Sequence, residues 1–156
     1  MPKKAESRAG ALVAREALAA TGLVLDTHVL VWLLEGDARL GREILRKIDA
    51  AAVAEGLFVA AISSWEIGML AEKGRLVFPT GAAPWLRRAL ALPGIHLVPL
   101  HPEIGLSACC LEGFHGDPAD RLIVATSLYL GLPLVTADGK ILEWCKRRRH
   151  PAVNAR

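Results

Sequence analysis

Gly22-Leu23-Val24-Leu25-Asp26-Thr27-His28-Val29-Leu30-Val31-Trp32 is the stretch whose reading decides the fold. It opens with a short unbroken apolar run, the pattern of a strand buried on both faces of a parallel sheet, and that run ends on a carboxylate. Thr27 to Glu35 reads as the helix that follows, and Gly36 as its stop. Strand, acid and helix in immediate succession form a unit that can be sought elsewhere in the chain.

The unit recurs. Ile44, Leu45, Ile48 and Val53 mark an amphipathic helix between Gly41 and Ala54, and Gly56 separates it from a second apolar run, Leu57 to Ile62. Ser63 and Ser64 are N-cap candidates for a helix through Lys73, stopped at Gly74. An irregular stretch with Pro79 and Gly81 leads to a helix over Pro84 to Leu92. Ile95 to Leu100 makes a third strand, and His101 to Glu112 a helix closed by Gly113. Asp117 before Pro118 opens a helix that runs to Leu130 and stops at Gly131, since proline suits the first helical position. Leu132 to Thr136 is a fourth strand, and a last helix starts after Asp138. Such alternation implies an open, mostly parallel sheet sandwiched by helices, with right-handed connections. Ligands of these folds gather at the carboxyl ends of the strands.

Composition narrows the classes. With 156 residues, 53% of them hydrophobic, the chain has enough apolar material for one ordinary core and little for a second. Its longest apolar stretches, such as Leu57 to Ile62 and Leu122 to Ala125, fall far short of the roughly 18 to 20 residues of a membrane span. Lys3, Lys4 and Arg8 are followed by an Ala-rich segment containing Arg15 and Glu16, which has no uncharged signal-peptide core, so the cytoplasm is the expected compartment. Cys109, Cys110 and Cys145 are odd in number and lack C-x-x-C spacing, and are expected as buried, reduced thiols. His28, His96, His101, His115 and His150 are scattered without ligand spacing, which disfavours zinc and leaves any metal to carboxylates. Net charge is +3 with a pI of about 9.0. The cluster Lys146, Arg147, Arg148, Arg149 reads equally as a phosphate-neutralising patch or as a solvated helix end on the C-terminal dipole. Residues 1–21 read as an extension without assigned function, 22–147 as the domain, and 148–156 as a basic tail.

Four acids fall at the N-terminal edges of helices, where the sheet's carboxyl end would gather them. Asp26 reads as an N-cap or as a ligand, and its place at the end of an apolar strand favours a ligand, because an unpartnered charge there is costly to desolvate. Glu66 closes the capping-box pattern Ser63-Ser-Trp-Glu66 and by itself reads as structural. Asp117 takes the cap before Pro118, which leaves Asp120 one turn in and uncommitted. Asp138, after Thr136-Ala137, reads as a turn, a cap or a ligand. Converging carboxylates raise one another's pKa values and call for one or two hard cations such as Mg²⁺ or Mn²⁺. Hydrolysis of a phosphodiester is the chemistry that suits such a site.

These residues resemble the motifs of PIN-domain toxins of the VapC type. Leu23-Val-Leu-Asp26-Thr-His-Val-Leu-Val-Trp32 resembles the opening motif, and Ser63-Ser-Trp-Glu66-Ile67 with Glu72-Lys-Gly-Arg75-Leu76 the second. His115-Gly-Asp-Pro-Ala-Asp120-Arg-Leu-Ile-Val-Ala-Thr126 resembles the third and Leu134-Val-Thr-Ala-Asp138 the fourth, so that the likeness spans about residues 22 to 145. The resemblance implies a PIN-like three-layer α/β/α fold with a mostly parallel sheet of about four to five strands. It implies the toxin of a type II toxin–antitoxin system, an endoribonuclease dependent on Mg²⁺ or Mn²⁺. Carried over, the family's metal-binding and catalytic acids fall on Asp26, Glu66, Asp120 and Asp138, with Asp26 and Asp120 the direct ligands and Asp117 a further candidate. A cognate antitoxin protein, an RNA substrate and a homodimer are implied as partners, with no membrane association. The first twenty or so residues lie outside the family pattern. The Thr27 and Thr136 hydroxyls read as helix caps before orienters of a metal-bound water, Arg121 as the partner of a neighbouring acid before a phosphate ligand, and Trp32, Trp65, Trp85 and Trp144 as core or interface before base-stacking platforms.

Overall fold

At the centre of the sheet lies β1 (Leu23–Leu25), paired in parallel with β2 (Leu57–Ala60) on one side and β4 (Leu134–Thr136) on the other in the computed structural model, which describes residues 21–156. The extension read over residues 1–21 lies, but for its last residue, outside the described residues. Beyond β2 comes β3 (Ile95–Val98), and beyond β4 comes β5 (Ala152–Asn154), so the order is β3-β2-β1-β4-β5 with every pairing parallel. Residues 152–154, read from sequence as part of a basic tail, thus supply the fifth strand. Their pairing with β4 is seen only in three dimensions, because nothing in a three-residue run signals it.

Seven helices flank this sheet among the described residues. After β1 come α1 (Thr27–Glu35) and α2 (Arg42–Val53), and after β2 come α3 (Ile62–Glu72) and α4 (Ala82–Leu90). After β3 come α5 (Pro102–Cys109) and α6 (Pro118–Leu130), and α7 (Gly139–Arg148) joins β4 to β5. Expected strands are trimmed at their ends, β4 starting at Leu134 and not Leu132, and the helix expected over 101–112 stops at Cys109. Element ends are where short apolar runs carry least information.

Strand alternation builds two cores. Leu23, Leu25, Val59 and Val135 face a layer made chiefly by α1, α2 and α4, with Ile44, Ile48, Trp32 and Trp85 inside it. Val24, Ala60 and Leu134 face the opposite layer, filled from α6 and α7 by Ile123, Val124, Ile141, Trp144 and Cys145. Both faces of β1 are therefore covered, as its unbroken apolar run requires. Gly94, at a φ of 80°, permits a close approach to α2, since a Cβ there would sit against the backbone of Ala52.

The chain runs outward from β1 through β2 to β3, then returns to β4 on the far side of β1. The crevice beyond the carboxyl ends of β1 and β4 is the topological switch point, the place where α/β sheets hold ligands.

Candidate active site

Asp26 follows β1 directly and occupies the N-cap of α1, yet its side chain caps nothing. Instead Thr136, at the end of β4, donates from Oγ1 to Asp26 Oδ2 at 2.6 Å. His28 brings Nδ1 to 3.5 Å from the same oxygen. The His28 proton is assigned to Nδ1, because Nε2 accepts from the Ala137 N–H at 2.9 Å. Asp26 is only 2% exposed. Burial raises its pKa above the usual carboxylate range, the nearby Asp138 adds to the rise, and His28, the Thr136 hydroxyl and a backbone bond at Thr27 oppose it.

Glu66 was expected to close a capping box with Ser63. No such box forms, because α3 already begins at Ile62, with Ala61 at a cap position that makes no side-chain bond. Ser63 is consequently inside the helix and fully buried, with its Oγ 2.8 Å from Thr27 Oγ1. That Thr27 hydroxyl donates to Glu66 Oε2 at 2.7 Å. Burial raises the Glu66 pKa, Asp26 and Asp117 push it further, and Arg75 pulls it back.

On the opposite wall the sequence reading holds in detail. Asp117 caps α6 through Oδ1, accepting from Ala119 N at 2.9 Å and Asp120 N at 3.3 Å. Asp120, at the third helical position, keeps its carboxylate for the crevice. Its pKa is pushed up to about 7, first by burial and then by the charges of Asp26, Asp117, Asp138 and Glu66. Asp138 caps α7, its Oδ1 accepting from Lys140 N at 2.7 Å and Ile141 N at 3.1 Å. Its own N–H donates to Thr136 Oγ1 at 3.0 Å, which links it to Asp26 through one hydroxyl. Asp26, Asp117, Asp138 and Glu66 thus all lie near enough to Asp120 to raise its pKa, and the five acids form one electrostatic cluster.

What this arrangement can do chemically follows from its repulsion. Buried acids that raise one another's pKa values favour protonation until a cation enters, and hard carboxylate oxygens suit a divalent ion of the Mg²⁺ or Mn²⁺ kind. Among the described residues, no three His, Cys, Asp or Glu side chains already close on a single point. An ion bound here would have to draw the acids inward and complete its shell with water.

Sequence reading missed both histidines of the site. His115 places Nε2 3.4 Å from Asp120 Oδ2, opposite the contact His28 makes with Asp26. The signal was there as spacing from an acid, two residues after Asp26 and five before Asp120, and not as spacing between histidines. Thr27 and Thr136 hold carboxylates, a role distinct from helix capping. Arg121 pairs with no acid among the described residues. It donates to the carbonyls of Ala108, Cys109, Leu111, Phe114 and His115 at 2.8–3.3 Å, fastening the loop before α6.

Trp32, Trp85 and Trp144 are core, as expected, while Trp65 is exposed beside Glu66. A cleft of about 260 Å³ adjoins the acids, lined by His28, Trp32, Glu66, Leu70 and Leu76 among others. Lys146, Arg147 and Arg148 occupy the last turn of α7, the end away from Asp138, and Arg147 and Arg148 pair with Glu143 and Glu112. The helix-end reading accounts for them. Of the thiols, Cys145 is buried, but Cys109 and Cys110 are exposed, contrary to expectation, because α5 ends there and the chain turns outward into the loop that Arg121 fastens.

Comparison with known proteins is consistent with this geometry. The PIN domain family model matches residues 23–146, which include all four acids. Ribonuclease VapC22 of Mycobacterium tuberculosis is 35% identical over 132 residues, covering 84% of this chain and 95% of that protein. VapBC2 from Rickettsia felis, solved bound to a DNA fragment from its promoter, superposes with a TM-score of 0.62 at 12% identity over 85% of this chain and 97% of that one. FitAcB from Neisseria gonorrhoeae gives 0.60 at 17% identity, again over 85% and 97%. At such identities the solved structures speak for the fold alone, whereas the family match and the 35% relative speak for descent. This chain belongs to the PIN-domain family, among its VapC-type members.

Proposed function

We propose that this chain is the toxin of a type II toxin–antitoxin pair, an endoribonuclease that hydrolyses RNA phosphodiester bonds with Mg²⁺ or Mn²⁺. In this reading Asp26 and Asp120 hold the ion directly and Glu66 and Asp138 complete the ring of acids. The observation that carries it is the gathering of Asp26, Asp117, Glu66 and Asp138 around Asp120 at the sheet's switch point, where burial first and these four charges next push the Asp120 pKa up to about 7. A bound divalent ion supplies charge neutralisation at the phosphodiester and a more acidic water for in-line attack. The protein's part is to keep the acids aimed. Thr136 fixes Asp26, Thr27 fixes Glu66, and burial keeps bulk water from screening Asp26.

Partners follow from the same surface. A negatively charged crevice beside an apolar cleft suits a basic, partly apolar segment, the chemistry asked of a neutralising antitoxin. Exposed Leu97, Leu100, Leu106 and Tyr129 on β3, α5 and α6 and their junctions offer apolar area for a homodimer. No described helix is long and apolar enough to cross a membrane, and the reading places the toxin with its RNA in the cytoplasm.

The test is cleavage. Purified protein is incubated with total cellular RNA, and separately with single- and double-stranded DNA, with Mg²⁺ or Mn²⁺ and then with EDTA, and the ends are mapped. RNA cut only when metal is present, and lost with growth inhibition in Asp26→Asn, is the expected result. Growth inhibition retained in Asp26→Asn without any cleavage would instead identify a non-catalytic interaction module, and cutting confined to DNA would reassign the substrate.

A further inference from the structure

We infer that His28 and His115 are a matched pair of positioning residues, each pinning Oδ2 of one metal-binding aspartate through a single ring N–H, His28 on Asp26 and His115 on Asp120. The inference rests on the metal-dependent reading above and adds to it the residues that set the aim of the two direct ligands.

Each ring is tied by a backbone amide on its far side, and the two are tied in opposite senses. Ala137 N donates to His28 Nε2 at 2.9 Å, which leaves the proton on Nδ1, 3.5 Å from Asp26 Oδ2. Asp117 N donates to His115 Nδ1 at 3.5 Å, which leaves the proton on Nε2, 3.4 Å from Asp120 Oδ2. Ring planes are fixed as well, since His28 packs on Trp32 at 4.8 Å between centroids and His115 stacks on Phe114 at 4.2 Å. The His115 carbonyl is held in turn by Arg121.

The most telling atom is His115 Nε2, buried and without a hydrogen-bond partner among the described residues. Buried polar atoms are rarely left so, and Asp120 Oδ2 is the acceptor already beside it, slightly beyond hydrogen-bond length. Contacts that are long in the ligand-free protein tighten when the site fills. With Oδ2 held by the His115 N–H, Asp120 would keep its other oxygen free for an ion. Groups that orient a ligating side chain in this way are typically worth 10–100-fold in metal affinity.

The substitutions separate the N–H from the ring. His115→Gln puts a donor where Nε2 was and gives up the ring, whereas His115→Phe keeps the stack on Phe114 and has no donor. At His28 the matching pair is His28→Asn, whose amide reaches the Nδ1 position, and His28→Phe. Mn²⁺ binding to metal-stripped, RNA-free protein is measured by titration calorimetry, melting temperature reports folding, and kcat and KM are measured on a cleaved RNA. The Phe variants should bind Mn²⁺ about 10–100-fold more weakly, with kcat lowered and KM for RNA unchanged, while the Gln and Asn variants recover most of the affinity. Folded Phe variants that bind Mn²⁺ like the parent would overturn the inference, as would Gln and Asn variants no better than Phe. Should one position fail to fold, the other carries the same test. A parent protein that neither binds Mn²⁺ nor cuts RNA takes the nuclease reading down along with this one, whereas a parent that cuts normally beside indifferent variants sinks the histidine pair alone.

Discussion

The starts of α6 and α7 look alike and work differently. Each helix opens on an aspartate, Asp117 or Asp138, whose Oδ1 accepts from two backbone N–H groups of the first turn. At the third helical position they part, for α6 has Asp120 and α7 has Ile141, fully buried in the core. One wall of the crevice therefore divides capping and charge between two acids, and the other asks a single acid to do both. The undivided acid is anchored by the helix it caps. Asp120, with no cap to make, is pushed up to a pKa of about 7, first by its burial and then by the charges of its neighbours.

If that division is real, Asp120→Asn should be the most damaging of the paired substitutions. Cleavage by Asp120→Asn should fall about 10²–10⁴-fold, the range for removing a positioned group that manages charge or protons. Steady-state cleavage of one RNA by the two asparagine variants checks it, and equal losses in Asp120→Asn and Asp138→Asn would break the comparison.

The next effect is on folding, and its sign is set by direction. The Asp120 pKa is pushed up to about 7 in the folded protein from the 3.8 of a free aspartate, so the unfolded chain releases this proton first. Metal-free stability should accordingly be full below about pH 4, decline as pH rises towards 7, and level off above it, a loss of at most about 4 kcal/mol for such a shift. Urea unfolding across that range should show the decline in the parent and much less of it in Asp120→Asn, which should melt higher than the parent at pH 8. Adding Mn²⁺ at pH 8 should restore the parent.

Arg121 holds the loop before α6 at five carbonyls, whereas Trp144 and Arg148 of α7 reach the same loop at one carbonyl, that of Glu112. Arg121→Ala frees five carbonyls of the loop before α6 and should cost about 3 kcal/mol, since bonds from a charged donor are among the stronger ones. Arg121→Lys should recover only part, because an ammonium is a point donor and cannot span the fan of acceptors. Urea denaturation gives the magnitude, and protease cutting between Cys109 and His115 in Arg121→Ala locates it.

How much of this was legible follows the same physics. The central strands and most helices could be read because apolar runs and glycine stops are local, and Asp117 and Asp120 could be sorted because Pro118 fixes which of them caps. Glu66 could not, since whether Ser63 caps α3 depends on where that helix starts, and the start is displaced into Ile62. Neither could β5, whose partner lies on the far side of α7, nor His28 and His115, whose contacts with acids depend on ring orientation, set for His28 by the Ala137 amide of a distant segment and for His115 by the Asp117 amide two residues on. Exposure of Cys109 and Cys110 likewise depends on a helix end. Glycine stops and a proline-fixed cap were visible in the chain, whereas helix starts, ring orientation and contacts across the crevice required the fold.

The smallest effect is the most discriminating. Asp138→Ala removes the bonds to Lys140 N and Ile141 N and should cost about 1 kcal/mol, the usual loss of an N-cap, whereas Asp138→Asn keeps an oxygen in place and should unfold within a few tenths of the parent. Cleavage then separates the two duties. An acid that only caps would leave Asp138→Asn as active as the parent. An acid whose charge also faces the ion should lose about tenfold in the same variant with stability intact, because the amide supplies the cap and not the charge. A tenfold loss in Asp138→Asn, beside a larger one in Asp120→Asn, is what one acid doing two jobs opposite a pair that divides them requires.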